Sequence, residues 1–190
     1  LWGLAYMKHE KRVHRDVKPS NLLINSKGEV KVTDFGVSAE LQSSIAMCGT
    51  FVGTFKYMSP ERIRNRPYSY ASDIWSFGLV ISECATGIYP FQEHTNCIEM
   101  AQTILDTDLQ PLSSAFSGAF VDFVSQCLRR DPEQRLPAEV LLGAPWLQQH
   151  GATSYDAAVR STRRWIDSLG PGAAAAAAQQ QQDYSYKDHK

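Results

Sequence analysis

Four side chains with complementary chemistry lie close together near the start of the sequence. Asp16 is followed two positions later by Lys18 and five positions later by Asn21, and Asp34 follows after a short intervening segment. Two carboxylates and an amide oxygen are ligands that Mg²⁺ prefers, and a lysine ammonium can neutralise a transferring phosphoryl group. The set therefore predicts a site of metal-assisted phosphoryl transfer if the side chains meet. The competing interpretation is that Asp16 and Asp34 are ordinary turn or cap residues.

A predicted β-hairpin explains how these side chains could come close together in the fold. Short strands are expected over residues 21–25 and 30–33, with Ser26–Glu29 as the turn and Gly28 at a position that takes positive φ. A hairpin brings the residues before and after it close together. Asp16 and Asn21 on one side should therefore approach Asp34 on the other.

Helical patterns dominate the rest of the sequence. We predict helices over residues 1–9, 71–86, 97–105, 116–129, 137–142 and 154–169, and a long loop over residues 34–60. Residues 71–86 are apolar on nearly every side, which is typical of a buried helix, with Ser72 or Asp73 as N-cap and Gly87 as the end. A capping box, Thr153-x-x-Asp156, is predicted to begin the last helix. The expected fold is mainly α, in the α+β class.

The composition excludes several classes of protein. The chain has 190 residues, of which 43% are hydrophobic, so we expect a packed core rather than a disordered chain. The net charge of −1 gives no electrostatic reason for a nucleic-acid or membrane partner, and we expect neither. The four cysteines form no C-x-x-C pair, which argues against a zinc site. We expect a cytoplasmic location, with the nucleus as an additional one.

Further motifs follow in order along the chain. His14-Arg15-Asp16 and Asp34-Phe35-Gly36 precede Ser59-Pro60-Glu61, Asp73-Ile74-Trp75-Ser76-Phe77-Gly78 and Arg135. This set resembles the eukaryotic protein kinase family over residues 1–149, with Ser59 where the family has alanine. The resemblance implies a kinase C-terminal lobe with a small β-hairpin at the catalytic site.

The resemblance also implies a role for each residue of the predicted site. Asp16 would be the catalytic base, and Lys18 would be the cation near the transferring phosphate of ATP. Asn21 and Asp34 would be the Mg²⁺ ligands, and Thr54 would bond Asp16 and Lys18.

Structural roles for three residues follow from the same resemblance. Asp73 would bond the backbone of the catalytic loop, with helix capping as the alternative. Glu61 and Arg135 would form a buried ion pair, whose rupture would leave an uncompensated charge.

The loop before Ser59 narrows the resemblance to one subfamily. The segments Phe51-Val52-Gly53-Thr54 and Tyr57-Met58-Ser59-Pro60-Glu61-Arg62 resemble the mitogen-activated protein kinase kinases. Those kinases are switched on by phosphorylation of two loop hydroxyls. Ser44 and Thr50 enclose five residues, which resembles the plant-type spacing, and Ser43 is an adjacent candidate.

A phosphate on Thr50 would add negative charge that Arg15 is placed to clamp. The alternative interpretation of these hydroxyls is a plain solvated loop.

The chain is expected to lack the N-terminal lobe of a kinase, because the segment before Asp16 is short and contains no Gly-rich loop. Residues 1–149 would form the partial kinase domain, and residues 150–171 a C-terminal helix that either packs on the core or docks an upstream kinase. Residues 172–190 are expected to be a disordered tail rich in alanine and glutamine.

The implied function is that of a dual-specificity kinase of the mitogen-activated protein kinase kinase tier. It would transfer the γ-phosphoryl group of ATP, with Mg²⁺, to Thr and Tyr of a downstream mitogen-activated protein kinase, and an upstream kinase kinase kinase would activate it. The chain alone is expected to be inactive without the other lobe. The alternatives are a non-catalytic docking module and a small-molecule phosphotransferase.

Overall fold

The computed structural model is mainly helical with one short hairpin, and it describes residues 1–34, 55–67, 69–91, 94, 96–109, 112–170 and 172. In this part of the chain the strands are β1 (Leu22–Ile24) and β2 (Val30–Val32). The helices are α1 (Trp2–His9), α2 (Pro60–Ile63), α3 (Tyr70–Thr86), α4 (Cys97–Asp106), α5 (Gly118–Cys127), α6 (Ala138–Leu141), α7 (Pro145–Gln149) and α8 (Tyr155–Ser168). Short 3₁₀ turns cover Pro19–Asn21 and Pro132–Gln134. The mainly helical fold with one small sheet agrees with the class predicted from the sequence.

The predicted hairpin is present, with each strand slightly shorter than expected. β1 and β2 pair antiparallel, and Leu23 lies opposite Lys31. The side chain of Asn25 fixes the turn, because its Oδ1 accepts hydrogen bonds from the backbone N–H groups of Lys27 and Glu29, both at 3.0 Å. Gly28 has φ 87°, a conformation that glycine adopts without steric cost.

Helix α3 forms the centre of the core. Its residues Ile74, Trp75 and Leu79 are buried, and it separates two apolar clusters. One cluster includes residues of α1, α5 and α6, and the other includes residues of α2 and α4. The helix ends at Gly87, as predicted.

The predicted start of α3 is wrong. Ser69, rather than Ser72 or Asp73, is the N-cap, and its Oγ accepts a hydrogen bond from the N–H of Ala71 at 3.3 Å. The helix therefore begins one residue earlier than expected. Asp73 lies inside the first turns, where its carboxylate has other partners.

Several other helix ends differ from the prediction. Helix α5 is shorter than residues 116–129 because Ser117 caps it, and α8 is capped by Ser154 rather than Thr153. Pro137 is the N-cap of α6 rather than its first residue. Helices α2 and α7 were not predicted, because four or five residues are too few to show a period.

Two predicted segments fall mainly or wholly outside the described residues. They are the loop over residues 34–60, of which residues 35–54 are not described, and the tail beyond residue 172. Within the described ranges, none of the helices is both long and apolar enough to cross a bilayer.

Gly78 allows α3 and α5 to pack closely. A Cβ atom at this position would lie 2.6 Å from Cβ of Cys127 and 2.9 Å from the side chain of Leu128. Beside this contact, the rings of Phe77 and Phe123 meet edge to face at 6.3 Å. A side chain at residue 78 would therefore push the two central helices apart.

We expect Gly78→Ala to lower the free energy of unfolding by about 1–3 kcal/mol, because overpacking outweighs the better helix propensity of alanine. Gly118→Ala is the matched control, since Gly118 is also helical and has no atom within 4 Å of an added Cβ. Urea denaturation of both variants measures the difference. Equal stability changes in the two variants would contradict the packing account.

Candidate active site

The segment that carries Asp16 is anchored to helix α3 by one buried carboxylate. Asp73 accepts a hydrogen bond at Oδ2 from the N–H of His14 at 2.7 Å, and at Oδ1 from the N–H of Arg15 at 2.8 Å. Burial raises the pKa of Asp73, and these hydrogen bonds oppose the rise only in part. Asp73 therefore binds the backbone of the segment, and Ser69 caps the helix.

Arg15 adopts an unusual backbone conformation at this anchor. Its φ of 75° lies in the left-handed region, which costs a non-glycine residue on the order of 1–3 kcal/mol. Both polar groups of its peptide backbone are held in place: the N–H by Asp73, and the carbonyl oxygen by Nη1 of Arg62. The surrounding contacts thus stabilise the turn that immediately precedes Asp16.

His14 joins the segment to the end of the hairpin. Its Nε2 lies 2.8 Å from the carbonyl oxygen of Thr33, and its Nδ1 lies 3.2 Å from the backbone nitrogen of Asp16. A carbonyl oxygen only accepts and a backbone N–H only donates, so these contacts assign the neutral ring with its proton on Nε2. The sequence shows His14 only as part of a motif, with nothing that indicates its role. Burial of a histidine at 2% exposure is the structural sign that was missing.

Asp16 has one carboxylate oxygen held and the other open. Oδ2 lies 2.8 Å from Nζ of Lys18 and accepts a hydrogen bond from Nδ2 of Asn21 at 3.1 Å. Among the described residues, no donor reaches Oδ1, and the side chain is 18% exposed. The fixed oxygen orients the group, and the open oxygen can accept a proton or a hydrogen bond from a bound hydroxyl.

The side chain of Asn21, like that of Asp16, is held through one polar atom and has an oxygen without a donor among the described residues. Its Nδ2 donates to the carbonyl oxygen of Asp16 at 2.8 Å as well as to the carboxylate, and these two acceptors fix which end of the amide is nitrogen. No described residue donates to Oδ1 of Asn21, although the residue is only 4% exposed. The amide oxygen is therefore available as a ligand.

Asp34 lies beside Asn21 through the backbone of the hairpin. The N–H of Thr33 donates to the carbonyl oxygen of Asn21 at 2.9 Å, and Asp34 follows with φ 62°. The Asp34 carboxylate is exposed and has no hydrogen bond or ion pair with a described residue.

The structure thus brings Lys18 and Asn21 into direct contact with Asp16, and Asp34 directly follows Thr33, which is hydrogen-bonded to Asn21.

The oxygen set fits Mg²⁺ that is shared with a phosphate. Among the described residues, no group of three or more His, Cys, Asp and Glu forms a metal cage. Magnesium is usually held by one or two protein carboxylates together with substrate phosphates and water. The open oxygen of Asn21 and the exposed carboxylate of Asp34 match that requirement.

Glu61 and Arg135 form a buried ion pair. Nη1 and Nη2 of Arg135 donate to Oε1 and Oε2 of Glu61, both at 2.7 Å, and Ser72 donates to Oε1 at the same distance. Burial alone raises the pKa of Glu61, but the hydrogen bonds and charge of Arg135 outweigh it, so the pKa lies below 4.5. The pair ties α2 to the segment after α5.

Other predicted site residues cannot be placed in this geometry. Thr54, Ser43, Ser44 and Thr50 lie outside the described residues. Arg15 is the predicted phosphate clamp, and the structure describes its backbone contacts but not residue 50, whose phosphate it would bind. Arg62, which holds the carbonyl of Arg15, was not singled out from the sequence because nothing in its neighbours marks that contact.

Comparison with known proteins gives evidence on the family of this chain that is independent of the site geometry. The family model for the protein kinase domain matches residues 1–147. Mitogen-activated protein kinase kinase 3 of Arabidopsis thaliana is 49% identical over 160 residues, which are 83% of this chain and 31% of that protein.

Two further relatives have related names. Mitogen-activated protein kinase kinase SIPKK of Nicotiana tabacum is 46% identical over 185 residues, covering 92% of this chain and 50% of that protein. Dual specificity mitogen-activated protein kinase kinase dSOR1 of Drosophila melanogaster is 38% identical over 176 residues, covering 78% and 44%. The chain spans about a third to a half of the length of the curated relatives it matches.

We expect Glu61→Gln to lower the free energy of unfolding at pH 7 by about 3–5 kcal/mol, because Arg135 would stay buried without a counterion. The folded-state pKa of Glu61 is lowered, so the contribution of the pair is complete above pH 4.5 and is lost as the pH falls through the folded-state pKa. The stability difference between wild type and variant should therefore shrink as the pH falls below 4.5.

Urea denaturation between pH 7 and pH 3 measures this difference. Glu139→Gln is the control, because Glu139 pairs with Lys8 at 2.9 Å in an exposed position where solvent screens the interaction. A difference for Glu61→Gln that does not change with pH, or that is as small as that of the control, would contradict the ion-pair account.

Proposed function

This chain belongs to the protein kinase family, in its mitogen-activated protein kinase kinase subfamily, and we propose that it carries the phosphoryl-transfer half of such an enzyme. In the proposed reaction the γ-phosphoryl group of ATP passes to a hydroxyl group of a protein substrate. The observation that supports this most directly is Asp16, which has one carboxylate oxygen held by Lys18 and Asn21 and the other open.

Each residue of the site has one proposed task. The open Oδ1 of Asp16 orients the substrate hydroxyl and takes up its proton as the bond to phosphorus forms. Lys18 lies against Asp16 and compensates the negative charge that develops on the transferring group. Asn21 and Asp34 would hold Mg²⁺, which supplies positive charge to the phosphate oxygens. Thr54 is proposed to bond Asp16 and Lys18.

We further propose that the substrate is a downstream mitogen-activated protein kinase, phosphorylated on both Thr and Tyr. Dual specificity is part of the name of the Drosophila relative, and we extend it to this chain. The proposed activator is a kinase kinase kinase that phosphorylates Ser44 and Thr50. Arg15 is proposed to clamp the phosphate on Thr50, which would order the loop that precedes α2.

We assign residues 1–149 to the C-terminal lobe of the kinase domain and residues 150–171 to a helical extension that contains α8. The segment before Asp16 includes no Gly-rich loop. We propose that the surface covering the ATP phosphates belongs to residues outside this sequence, and that the chain alone is inactive for that reason.

The lack of a Gly-rich loop before Asp16 also favours one other candidate, a non-catalytic module that docks a partner kinase. Against it, a docking module has no need of the open oxygens on Asp16 and Asn21.

The base assignment predicts the effect of Asp16→Asn. In protein that includes the ATP-covering residues, we expect the rate of substrate phosphorylation to fall by about 10²–10⁴-fold, because an amide cannot accept the hydroxyl proton. Transfer of labelled phosphate from ATP to an inactive mitogen-activated protein kinase measures the rate. Asp122→Asn, at an exposed position on α5, is the control and should keep full activity. Activity within a few-fold of wild type in Asp16→Asn would end the base assignment.

The activation proposal predicts the effect of adding charge to the loop. In protein that includes the ATP-covering residues, we expect the double variant Ser44→Asp with Thr50→Asp to raise basal phosphorylation on the order of tenfold, since a loop carboxylate partly replaces a phosphate. Ser114→Asp adds charge at an exposed position elsewhere and should have no effect. Adding Arg15→Gln to the double variant should remove the gain. A gain that survives this third change would exclude Arg15 as the clamp.

A further inference from the structure

The backbone of helix α8 lies directly against the turn of the hairpin. A Cβ atom on Gly28 would lie 2.5 Å from the carbonyl oxygen of Val159 and 2.6 Å from the backbone nitrogen of Arg163. Both are backbone atoms, which cannot move aside as a flexible side chain can. Only a residue without a side chain lets α8 pack on the hairpin this closely.

This closeness is separate from the need for glycine at positive φ. Gly170 has the same φ of 87°, and an added Cβ there would have no atom within 4 Å. An alanine at either position would strain the backbone, but only an alanine at residue 28 would also collide with α8. Comparing the two substitutions therefore separates the effect of strain from the effect of contact.

The turn of the hairpin lies close to its open end along both strands. Asn25 ties the turn together through its side-chain bonds to Lys27 and Glu29, and its carbonyl oxygen accepts from the N–H of Gly28 at 2.9 Å. Only three residues of each strand separate this turn from Asn21 and Thr33.

At the open end, the N–H of Thr33 donates to the carbonyl oxygen of Asn21, and the carbonyl of Thr33 accepts from His14. The two proposed metal ligands, Asn21 and Asp34, flank this junction.

Helix α8 has a buried side chain and an aromatic contact with α1. Ile166 is buried at 2% exposure, and the ring of Tyr155 meets that of Trp2 edge to face at 6.5 Å. Helix α1, which carries Trp2, also supports the hairpin, because an added Cβ on Gly3 would lie 3.3 Å from the side chain of Val32. The hairpin is thus supported on one strand by α1 and at its turn by α8.

We propose that α8 positions the metal-binding end of the hairpin, and that Gly28 is the contact through which it acts. The proposal rests on the proposed function insofar as that function names Asn21 and Asp34 as metal ligands. Gly28 and Ile166 are positioning residues in this account, because neither touches a reacting group.

Amide hydrogen exchange in this full chain, followed by NMR, tests the coupling without any ligand. In Gly28→Ala we expect the Thr33 amide to exchange about tenfold faster than in wild type, because a displaced turn weakens its bond to Asn21. Gly170→Ala should leave this rate unchanged within about twofold, since it adds strain without contact. Faster exchange confined to residues 25–29 and 155–168 would overturn the proposal.

A second pair of variants approaches the same contact from the helix. Ile166→Ala truncates the buried side chain of α8 and leaves the hairpin sequence unchanged, and we expect the Thr33 amide to exchange faster here too. Leu169→Ala is its matched control, because Leu169 follows α8 and is 53% exposed. If Gly28→Ala does not fold, the comparison of Ile166→Ala with Leu169→Ala tests the coupling between α8 and the hairpin by itself. Equal Thr33 rates in Ile166→Ala and Leu169→Ala would overturn the proposal.

The consequence for the reaction is measured in protein that includes the ATP-covering residues. In Gly28→Ala we expect the Mg²⁺ concentration at half-maximal rate to rise several-fold, while the rate at saturating Mg²⁺ changes less. A lower maximal rate with an unchanged Mg²⁺ requirement would overturn the positioning role. Wild-type protein without Mg²⁺-dependent transfer would instead refute the proposed function, and the Thr33 exchange rates would still judge the coupling.

Discussion

The two hydrogen bonds that Asp73 accepts from the backbone of His14 and Arg15 are the constraint on which the site depends. They hold a peptide turn that is unfavourable for a non-glycine residue, and they do so from the buried first turns of the central helix. Without them the N–H of Arg15 would lose its acceptor, and its positive φ would be held only through the contact of its carbonyl oxygen with Arg62. The orientation of the Asp16 carboxylate would then be less well defined. A buried acceptor that loses its donors is itself costly, by about 1–3 kcal/mol, so the helix and the segment stabilise each other.

From this anchor the site is assembled by short-range contacts. His14 carries the segment to Thr33 at the end of the hairpin, and Asn21 returns from the other strand to hold Asp16. On Asp16 and on Asn21 these contacts hold one polar atom and leave one oxygen without a donor among the described residues. The held atoms fix both side chains before substrate arrives, and electrostatic stabilisation of a transition state requires such preorganisation.

The sequence is sufficient for the local features of this arrangement and insufficient for the distant ones. The hairpin was predictable because Gly28 and the apolar pattern on either side act over a few residues. The cap of α3 was placed wrongly because Asp73 suits a helix start as well as Ser69 does. Its real partners lie 58 and 59 residues earlier in the chain, and no local pattern reports them. The contact of α8 with Gly28 was missed for the same reason, since a turn glycine looks the same with or without a helix beside it.

Hydrogen exchange at the amides of His14 and Arg15 tests the central claim most directly. The account predicts that both amides are protected in the wild-type chain. In Asp73→Asn they should exchange at least about tenfold faster, because an amide side chain offers one acceptor where the carboxylate offers two. Amides of His14 and Arg15 that exchange in wild type as fast as an unstructured peptide, while those in the middle of α3 remain protected, would contradict it.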